Sequence, residues 1–180
     1  MTSHWKDQPD RYGRLSRLLH WGMACIFLWQ FAGMVVKLTV GRSPLTAFWV
    51  GTHVSVGTVL WLLIVLRVLW AVSQMKRRPS QSSGWKGRAA RAGHGALYVL
   101  MVVVPSLAVL RQWGSGKGYA VFGIPIVAPT GQPIAWMVEP ARMLHGALAW
   151  TLLALVVGHI AMVLVHRFVW HDRTTDRMLG

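Results

Sequence analysis

The chain is poor in acidic residues and has a single cysteine. Only 5 of its 180 residues are Asp or Glu, against 19 Lys and Arg. Cys25 has no partner within the chain, which excludes a disulfide scaffold. With 54% apolar and 13% charged residues, the chain is also too apolar to be disordered. The net charge of +14 raises the question of nucleic acid, but the basic residues lie between long apolar blocks, as in membrane proteins, so we expect no nucleic-acid partner.

Four apolar blocks have the length of a transmembrane helix, which needs about 20 residues to cross about 30 Å of hydrocarbon. These blocks are approximately residues 18–36, 48–72, 92–110 and 143–165. They do not alternate between polar and apolar residues, so they predict helices rather than barrel strands. We therefore expect an all-α, four-helix integral membrane bundle: one domain over residues 11–173, with tails at 1–10 and 174–180. The first span lacks a signal-peptide cleavage pattern and is expected to be retained.

The distribution of basic residues predicts the orientation of the bundle. The N-terminal segment, the second connection and the C-terminal tail together carry 13 Lys and Arg, whereas the first and third connections carry 5. The positive-inside bias therefore places both termini in the cytoplasm. The second connection contains the polar run 80–84 and is expected to be a flexible loop. The third, about residues 111–142, is long and semi-apolar, and is a candidate lid over a site.

Five of the eight histidines lie in or at the edge of the predicted spans. They are His20, His53, His94, His145 and His159. An ionisable side chain within a bilayer is costly, which makes each a candidate functional residue. The alternative is that each is a polar contact between helices. Five such residues, with no Asp or Glu inside the spans to form a proton relay, favour the functional interpretation.

The spacing of the histidines predicts two sites at different depths. His145 and His159 are 14 residues apart, so they share one face of a helix and lie about 21 Å apart along its axis. His53 lies near the outer end of the second span and matches His145 in depth. His20 lies near the inner end of the first span and matches His159 in depth. Two facing pairs fit two bis-imidazole haem irons. Zinc would require three or four ligands close together.

The type of haem follows from the cysteine content. The chain has no Cys-x-x-Cys-His sequence, so covalent attachment is excluded and two non-covalent haem b groups are predicted. Glycines near the histidines would allow a flat macrocycle to approach the backbone, although close helix packing explains them nearly as well. These glycines are Gly22, Gly57, Gly146 and Gly158.

Other polar residues have roles that the sequence leaves open. His94 is a candidate axial ligand in place of His20, a donor to a haem propionate, or a packing residue. Arg67 lies 14 residues after His53 and is a candidate partner for a propionate, or an arginine that extends to the membrane interface. His166 and Arg167 end the fourth span and are a candidate quinone contact, with an interfacial cap as the alternative.

Several fragments together resemble the bacterial cytochrome b561 family, which is grouped with hydrogenase b-type subunits. The fragments are Arg14-Leu-Ser-Arg-Leu-Leu-His20-Trp21, Thr52-His53-Val-Ser-Val-Gly57 with Arg67, Gly93-His94-Gly-Ala-Leu-Tyr98, Leu144-His145-Gly, Gly158-His159 and Val165-His166-Arg-Phe-Val-Trp170-His-Asp172. The resemblance implies haem b, electron transfer, and ubiquinone as a partner in a bacterial inner membrane. The ligand pattern of the family maps onto His20, His53, His145 and His159.

Three functions are compatible with this pattern. The first is an electron carrier between an outer-face donor, such as a redox protein or superoxide, and a quinone. A subset of the family resembles superoxide oxidase, and Arg111, Lys117 and Arg142 are outer-side cations that would attract a small anion. The second is a haem-bearing anchor subunit of a larger hydrogenase or dehydrogenase. The third is a metal or proton transporter, which the lack of carboxylates within the spans disfavours.

Overall fold

Four long helices make up most of the chain. The computed structural model describes residues 4–79 and 83–179. The helices are α1 (Arg14–Val40), α2 (Pro44–Ser73), α3 (Gly84–Gly114) and α4 (Ala135–Leu164). A π-helical turn, Val165–Val169, continues α4, and a short helix α5 (Asp176–Leu179) follows it. All four long helices are long and apolar enough to cross a membrane, and each contains one predicted span, so the predicted four-helix membrane bundle is confirmed.

The turn between α1 and α2 is set by local sequence. Gly41 follows α1 with φ of 73°, a left-handed conformation that glycine adopts without strain. Ser43 and Thr46 form a capping box, in which the Ser43 hydroxyl accepts from the backbone N–H of Thr46 and the Thr46 hydroxyl accepts from that of Ser43. Pro44 occupies the first turn of α2, where its missing N–H costs nothing. These residues join the two helices by a short reversal.

The bundle consists of two tightly packed helix pairs. In the α1–α2 pair, Gly33 lies directly against the ring of Trp49. In the α3–α4 pair, Gly114 lies equally close to Met137. The pairs join through α2 and α3, where Trp61 donates a hydrogen bond of 2.9 Å to the hydroxyl of Ser106. In the described part of the chain, the backbone of α4 makes no more than isolated close approaches to α1 and α2.

The interior is small and the outer surface is apolar. Met23, Leu60 and Ile64 form a buried cluster where α1, α2 and α3 meet, with Met101 packed against it. Many large apolar side chains remain exposed along the helices, for example Leu28 at 72%. In water, exposure of such a large apolar surface would be energetically unfavourable, whereas membrane lipid solvates it. The exposed side chains therefore contact membrane lipid.

Two connections are shorter than predicted. The third connection, predicted at residues 111–142, spans only residues 115–134, because α3 continues to Gly114 and α4 begins at Ala135. Arg111 and Arg142 therefore lie on helices rather than in a loop. The second connection is also shorter, since α3 begins at Gly84 and includes the basic residues up to Arg91. Of the predicted flexible run at residues 80–84, residues 80–82 lie outside the described residues, and Gly84 is the first residue of α3.

The third connection contains a small β-hairpin. Strand β1 (Tyr119–Val121) pairs antiparallel with β2 (Ile124–Val127). The hydroxyl of Tyr119 shares a hydrogen bond with that of Thr58, and the N–H of Phe122 donates to the hydroxyl of Ser55, so the hairpin packs on α2. Ser55 and Thr58 point about 140–200° away from His53 around the helix. The hairpin therefore packs on another face of α2 than the one that carries His53, and its role as a lid over a site stays a prediction.

We name the two ends of the bundle by their contents. The hairpin end carries the α1–α2 turn and the β-hairpin, and the terminal end carries the beginning of α1 and the end of α4. The N-terminal and C-terminal segments at residues 4–13 and 176–179 pack together at the terminal end. The N–H of Tyr12 donates to the carbonyl of Arg177, and Arg17 donates to the carbonyl of Leu179. These contacts attach the segments at residues 4–13 and 176–179 to the bundle.

The contact between Gly33 and Trp49 predicts a specific loss of stability. A Cβ at residue 33 would lie 2.8 Å from Cε3 of Trp49, whose ring stacks at 4.0 Å on Trp29 and has little room to move. We expect Gly33→Ala to destabilise the detergent-solubilised protein by about 1–3 kcal/mol, measured by thermal unfolding. Gly51→Ala is the matched control, because a Cβ there would meet nothing within 4 Å. Equal stability of the two variants would contradict this packing.

Candidate functional site

One histidine pair lies toward the hairpin end. The rings of His53 on α2 and His145 on α4 have centroids 6.4 Å apart and planes inclined by 85°. Nδ1 of His145 lies 3.0 Å from the carbonyl oxygen of Val104 on α3. A carbonyl can only accept, so Nδ1 carries a proton and Nε2 is the nitrogen that can bind a metal. Such a second hydrogen bond is what orients a histidine that binds a metal.

Three histidines gather toward the terminal end. His20 on α1 and His159 on α4 have ring centroids 6.4 Å apart and planes inclined by 78°. His94 on α3 lies closer to His159, with centroids 5.5 Å apart. The structure thus brings both predicted pairs together, and it places His94 beside the second of them.

The distances test whether each pair can share an ion. With a metal–nitrogen bond of about 2.0–2.1 Å and about 1.1 Å from that nitrogen to the ring centre, imidazoles on opposite sides of one ion have centroids about 6.3 Å apart. Both predicted pairs match this separation, whereas the His94–His159 distance is too short. Within the described ranges, no three His, Cys, Asp or Glu residues are grouped to hold a metal. A donor set of two imidazoles suits an ion whose other ligands belong to a planar group such as haem.

The two pairs are separated along the bundle. Gln30 donates to the carbonyl of His53, and Arg67 donates to the carbonyl of Ser16, which fixes the register of α1 against α2. In this register His20 lies beside the position on α2 that is ten residues after His53. The axial distance between His53 and that position is about 15 Å. On α4 the corresponding axial distance, between His145 and His159, is about 21 Å. The predicted arrangement at two depths agrees with the geometry.

The glycines near the histidines differ in what they contact. A Cβ at Gly22, Gly146 or Gly158 would meet nothing within 4 Å, so these positions leave space beside the histidines. A Cβ at Gly57 would lie 2.9 Å from Nε2 of Gln30. Gly57 therefore admits the side chain of Gln30, which hydrogen-bonds to the backbone of His53. For Gly57, helix packing is the better explanation.

A buried polar network lies one turn below His20, and sequence reasoning missed it. The carboxylate of Asp7, with no exposed side-chain area, accepts from the N–H of Gly13 at 2.8 Å and the hydroxyl of Ser16 at 2.6 Å. Its second oxygen lies 3.4 Å from Nε of Arg78. Trp70 donates to the Ser16 hydroxyl. The network holds the N-terminal segment against α1 and α2.

Arg67 belongs to the same region. Its guanidinium donates to the carbonyl oxygen of Ser16 at 3.0 Å, and it lies close enough to His20 to interact with it electrostatically. The sequence predicted a propionate or the membrane interface as its partner. The structure shows a backbone carbonyl instead, and the contact with a propionate stays a prediction.

The end of α4 holds a histidine–aspartate pair. Nδ1 of His166 lies 2.6 Å from the carboxylate of Asp172, and its ring packs edge-on against Trp170. Nζ of Lys86 lies 4.1 Å over the ring of Trp170. Partial burial opposes ionisation of Asp172, but hydrogen bonds from Thr174 and the contact with His166 outweigh it and lower its pKa to about 2. Asp172 is therefore ionised at neutral pH. The π-helical turn that carries His166 is a feature often found at functional sites.

The predicted cations of the outer side are not equivalent. Arg142 forms an ion pair of 2.7 Å with Glu139. Its charge is thus largely compensated, which weakens the prediction that it attracts an anion. Arg111 and Lys117 are exposed. The attractive field of this end rests on these two residues together with exposed Lys37 and Arg42 near the α1–α2 turn.

The comparisons with known proteins agree with the geometry. A family model described as prokaryotic cytochrome b561 matches residues 11–180. The chain is 35% identical to cytochrome b561 homolog 2 of Escherichia coli, over 97% of this chain and 94% of the relative. It is 24% identical to cytochrome b561 homolog 1 of the same organism, over 94% and 97%. It is 27% identical to cytochrome b562 of Cereibacter sphaeroides, over 96% and 97%.

The network around Asp7 predicts a stability effect. We expect Asp7→Asn to lower the free energy of unfolding by about 3 kcal/mol, because it leaves Arg78 without its buried counter-charge. Asp10→Asn is the control, since Asp10 is exposed and lies in the same segment. Thermal unfolding of both variants in detergent checks this. If Asp7→Asn unfolds at the same temperature as Asp10→Asn, the carboxylate does not stabilise this end of the bundle.

Proposed function

The chain belongs to the prokaryotic cytochrome b561 family and is thus a multi-pass bacterial membrane haem protein, and from this premise we propose that it holds two haem b groups and carries electrons across the inner membrane. His53 and His145 would bind one haem, and His20 and His159 the other. The electrons would pass from a donor at the hairpin end to ubiquinone at the terminal end. Both termini would then be cytoplasmic, as the distribution of Lys and Arg predicts.

The observation that carries this proposal is the equal separation of two imidazole pairs. Both measure 6.4 Å between centroids, although they join different helices at different depths. Histidines that only made polar contacts between helices would not be expected to share one centroid separation. The separation that they share is the one expected for two imidazoles on opposite sides of one ion. The haem, when bound, supplies one-electron redox chemistry at its iron. The imidazoles of His53 and His145 would hold one of these groups, and those of His20 and His159 the other.

His94 has a different role in this proposal. Its ring is too close to His159 for the two to lie on opposite sides of one ion. We assign it to hydrogen bonding with a haem propionate or to packing against His159. Arg67, which holds the carbonyl of Ser16 near His20, is the candidate cation for a propionate of the same haem.

Ubiquinone reduction needs two protons as well as two electrons. His166 and Asp172 are suited to transfer a proton, because the carboxylate of Asp172 accepts a hydrogen bond from Nδ1 and orients the imidazole, which leaves Nε2 for a substrate. This pair lies at the terminal end, where the second haem is proposed. At the hairpin end, exposed Arg111 and Lys117 favour a small anionic donor. With superoxide as that donor, two superoxide anions would each lose one electron to form oxygen, and one quinone would take up both electrons.

A second candidate function is a haem-bearing anchor subunit of a larger oxidoreductase. It is favoured by one observation: the tip of the β-hairpin exposes the large apolar side chains of Phe122, Ile124 and Ile126. Such a tip suits a protein partner at the hairpin end. Co-purification of a cofactor-bearing partner would support the anchor function, whereas quinone reduction by the isolated chain would support the independent carrier.

The ligand assignment predicts the haem content of histidine variants. We expect about two haems per chain in the wild type and about one in each of His20→Ala, His53→Ala, His145→Ala and His159→Ala, since a non-covalent haem that loses an axial imidazole is held weakly. His94→Ala is the matched control and should keep both. Haem per chain is measured from the dithionite-reduced spectrum and a protein assay. Loss of haem in His94→Ala but not in His20→Ala would reverse the assignment at the terminal end.

The proposed proton donor predicts a defect in quinone reduction. We expect His166→Gln to slow reoxidation of the reduced protein by a soluble ubiquinone analogue by about 100-fold, the low end of the scale of a lost general acid. Haem content should not change. His171→Gln is the control, because His171 is exposed and its Nδ1 lies 3.2 Å from the backbone carbonyl oxygen of Val169. Stopped-flow absorbance measures the rate, and an unchanged rate in His166→Gln would remove this residue from the reaction.

A further inference from the structure

Two adjoining cavities open at the terminal end beside the beginning of α1. The first, of about 270 Å³, lies between the N-terminal segment and the first turn of α1. The second, of about 300 Å³, lies between α1 and the C-terminal segment. Arg14 and Arg17 line both of them. The haem and quinone sites proposed above use none of these residues.

The first cavity is strongly basic. Lys6, Arg11, Arg14 and Arg17 line it together with His4, and among the described residues no Asp or Glu does so. Asp7, although close in sequence, is directed to Gly13, Ser16 and Arg78 instead.

One further feature adds a hydrogen-bond donor to this cavity. Among the described residues, Nε of Arg17 is buried without a hydrogen-bond partner. The cavity therefore has the charge and the donors to bind an anion.

The second cavity has a different lining. Beyond the two shared arginines it is bounded by Leu18, Trp21, Met178 and Leu179. Leu18 is 61% exposed and Trp21 48%, so an apolar strip runs from the basic cavity along the outer face of α1. A ligand that occupies both cavities must be an anion attached to a hydrocarbon chain.

We propose that the paired cavities are a binding site for one anionic phospholipid. Its phosphate would lie among Lys6, Arg11 and Arg14, and an acyl chain would follow Leu18 and Trp21 along α1. The position supports this occupant, because α1 enters the hydrocarbon at this point and basic pockets at the ends of membrane helices suit anionic headgroups. A free phosphate would account for the basic cavity but not for the apolar strip that continues from it.

The test uses the full-length protein in detergent, titrated with phosphatidylglycerol or phosphatidylcholine and analysed by native mass spectrometry. We expect the wild type to bind phosphatidylglycerol at least tenfold more tightly than phosphatidylcholine. The variant Lys6→Gln/Arg11→Gln/Arg14→Gln should lose this preference. Lys76→Gln/Arg77→Gln/Arg88→Gln removes the same charge from the same end of the bundle, outside the cavities, and should stay within twofold of the wild type.

Three results would overturn the proposal. The first is an equal loss in both triple variants, which would indicate a diffuse surface charge. The second is no preference for phosphatidylglycerol in the wild type. The third is displacement of the lipid by inorganic phosphate at equal concentration, which would indicate a simple anion site. Leu18→Ser should weaken lipid binding severalfold, and an unchanged affinity would contradict the acyl-chain position.

A second measurement needs no variant, in case the triple substitution prevents folding. Phosphatidylglycerol with a photoreactive group in its acyl chain is bound to the wild type and activated, and the labelled peptides are identified. We expect labelling concentrated at residues 14–21 and 178–179. Labels spread evenly over the four long helices would refute a specific site.

Discussion

The period of the α-helix determines how this bundle can be arranged. Fourteen residues make nearly four turns, so His145 and His159 lie on one stripe of α4 at two depths. Any partners for them must come from helices that face this stripe. The antiparallel α1–α2 pair meets this condition, because it places His53 toward the hairpin end and His20 toward the terminal end. The remaining helix, α3, supports α4 from the side and supplies the carbonyl of Val104 that orients His145.

The hydrocarbon around the bundle also limits where polar side chains other than the histidines can lie. A polar group without a partner is costly there, so each must bond within the protein. Gln30 bonds to the backbone of His53, Trp61 to Ser106, and Arg67 to the carbonyl of Ser16. Each of these bonds joins two helices and fixes their register. The depth of the histidines therefore depends on polar contacts outside the histidine pairs themselves.

The sequence predicted the helices and the histidine pairs because both depend on regular spacing and on long apolar runs. It did not predict the full length of the helices, since residues such as Lys86 and Arg142 continue a helix beyond the hydrocarbon, where no apolar pattern marks them. The network of Asp7 was also missed, because its partner Arg78 is 71 positions away and no local pattern links the two. The role of Gly57 was left open for a related reason: the side chain that requires it, Gln30, belongs to another helix.

The two ends of the bundle differ in chemistry, and this difference bears on the direction of the proposed electron transfer. A one-electron donor that releases no proton needs only access and an attractive field, which exposed Arg111 and Lys117 offer at the hairpin end. A quinone acceptor needs protons, and the terminal end offers a proton-transfer group, since His166 there is hydrogen-bonded to an ionised Asp172. At the hairpin end, Glu139 is already paired with Arg142. Reversing the direction would therefore separate the quinone from the histidine–aspartate pair by the thickness of the membrane.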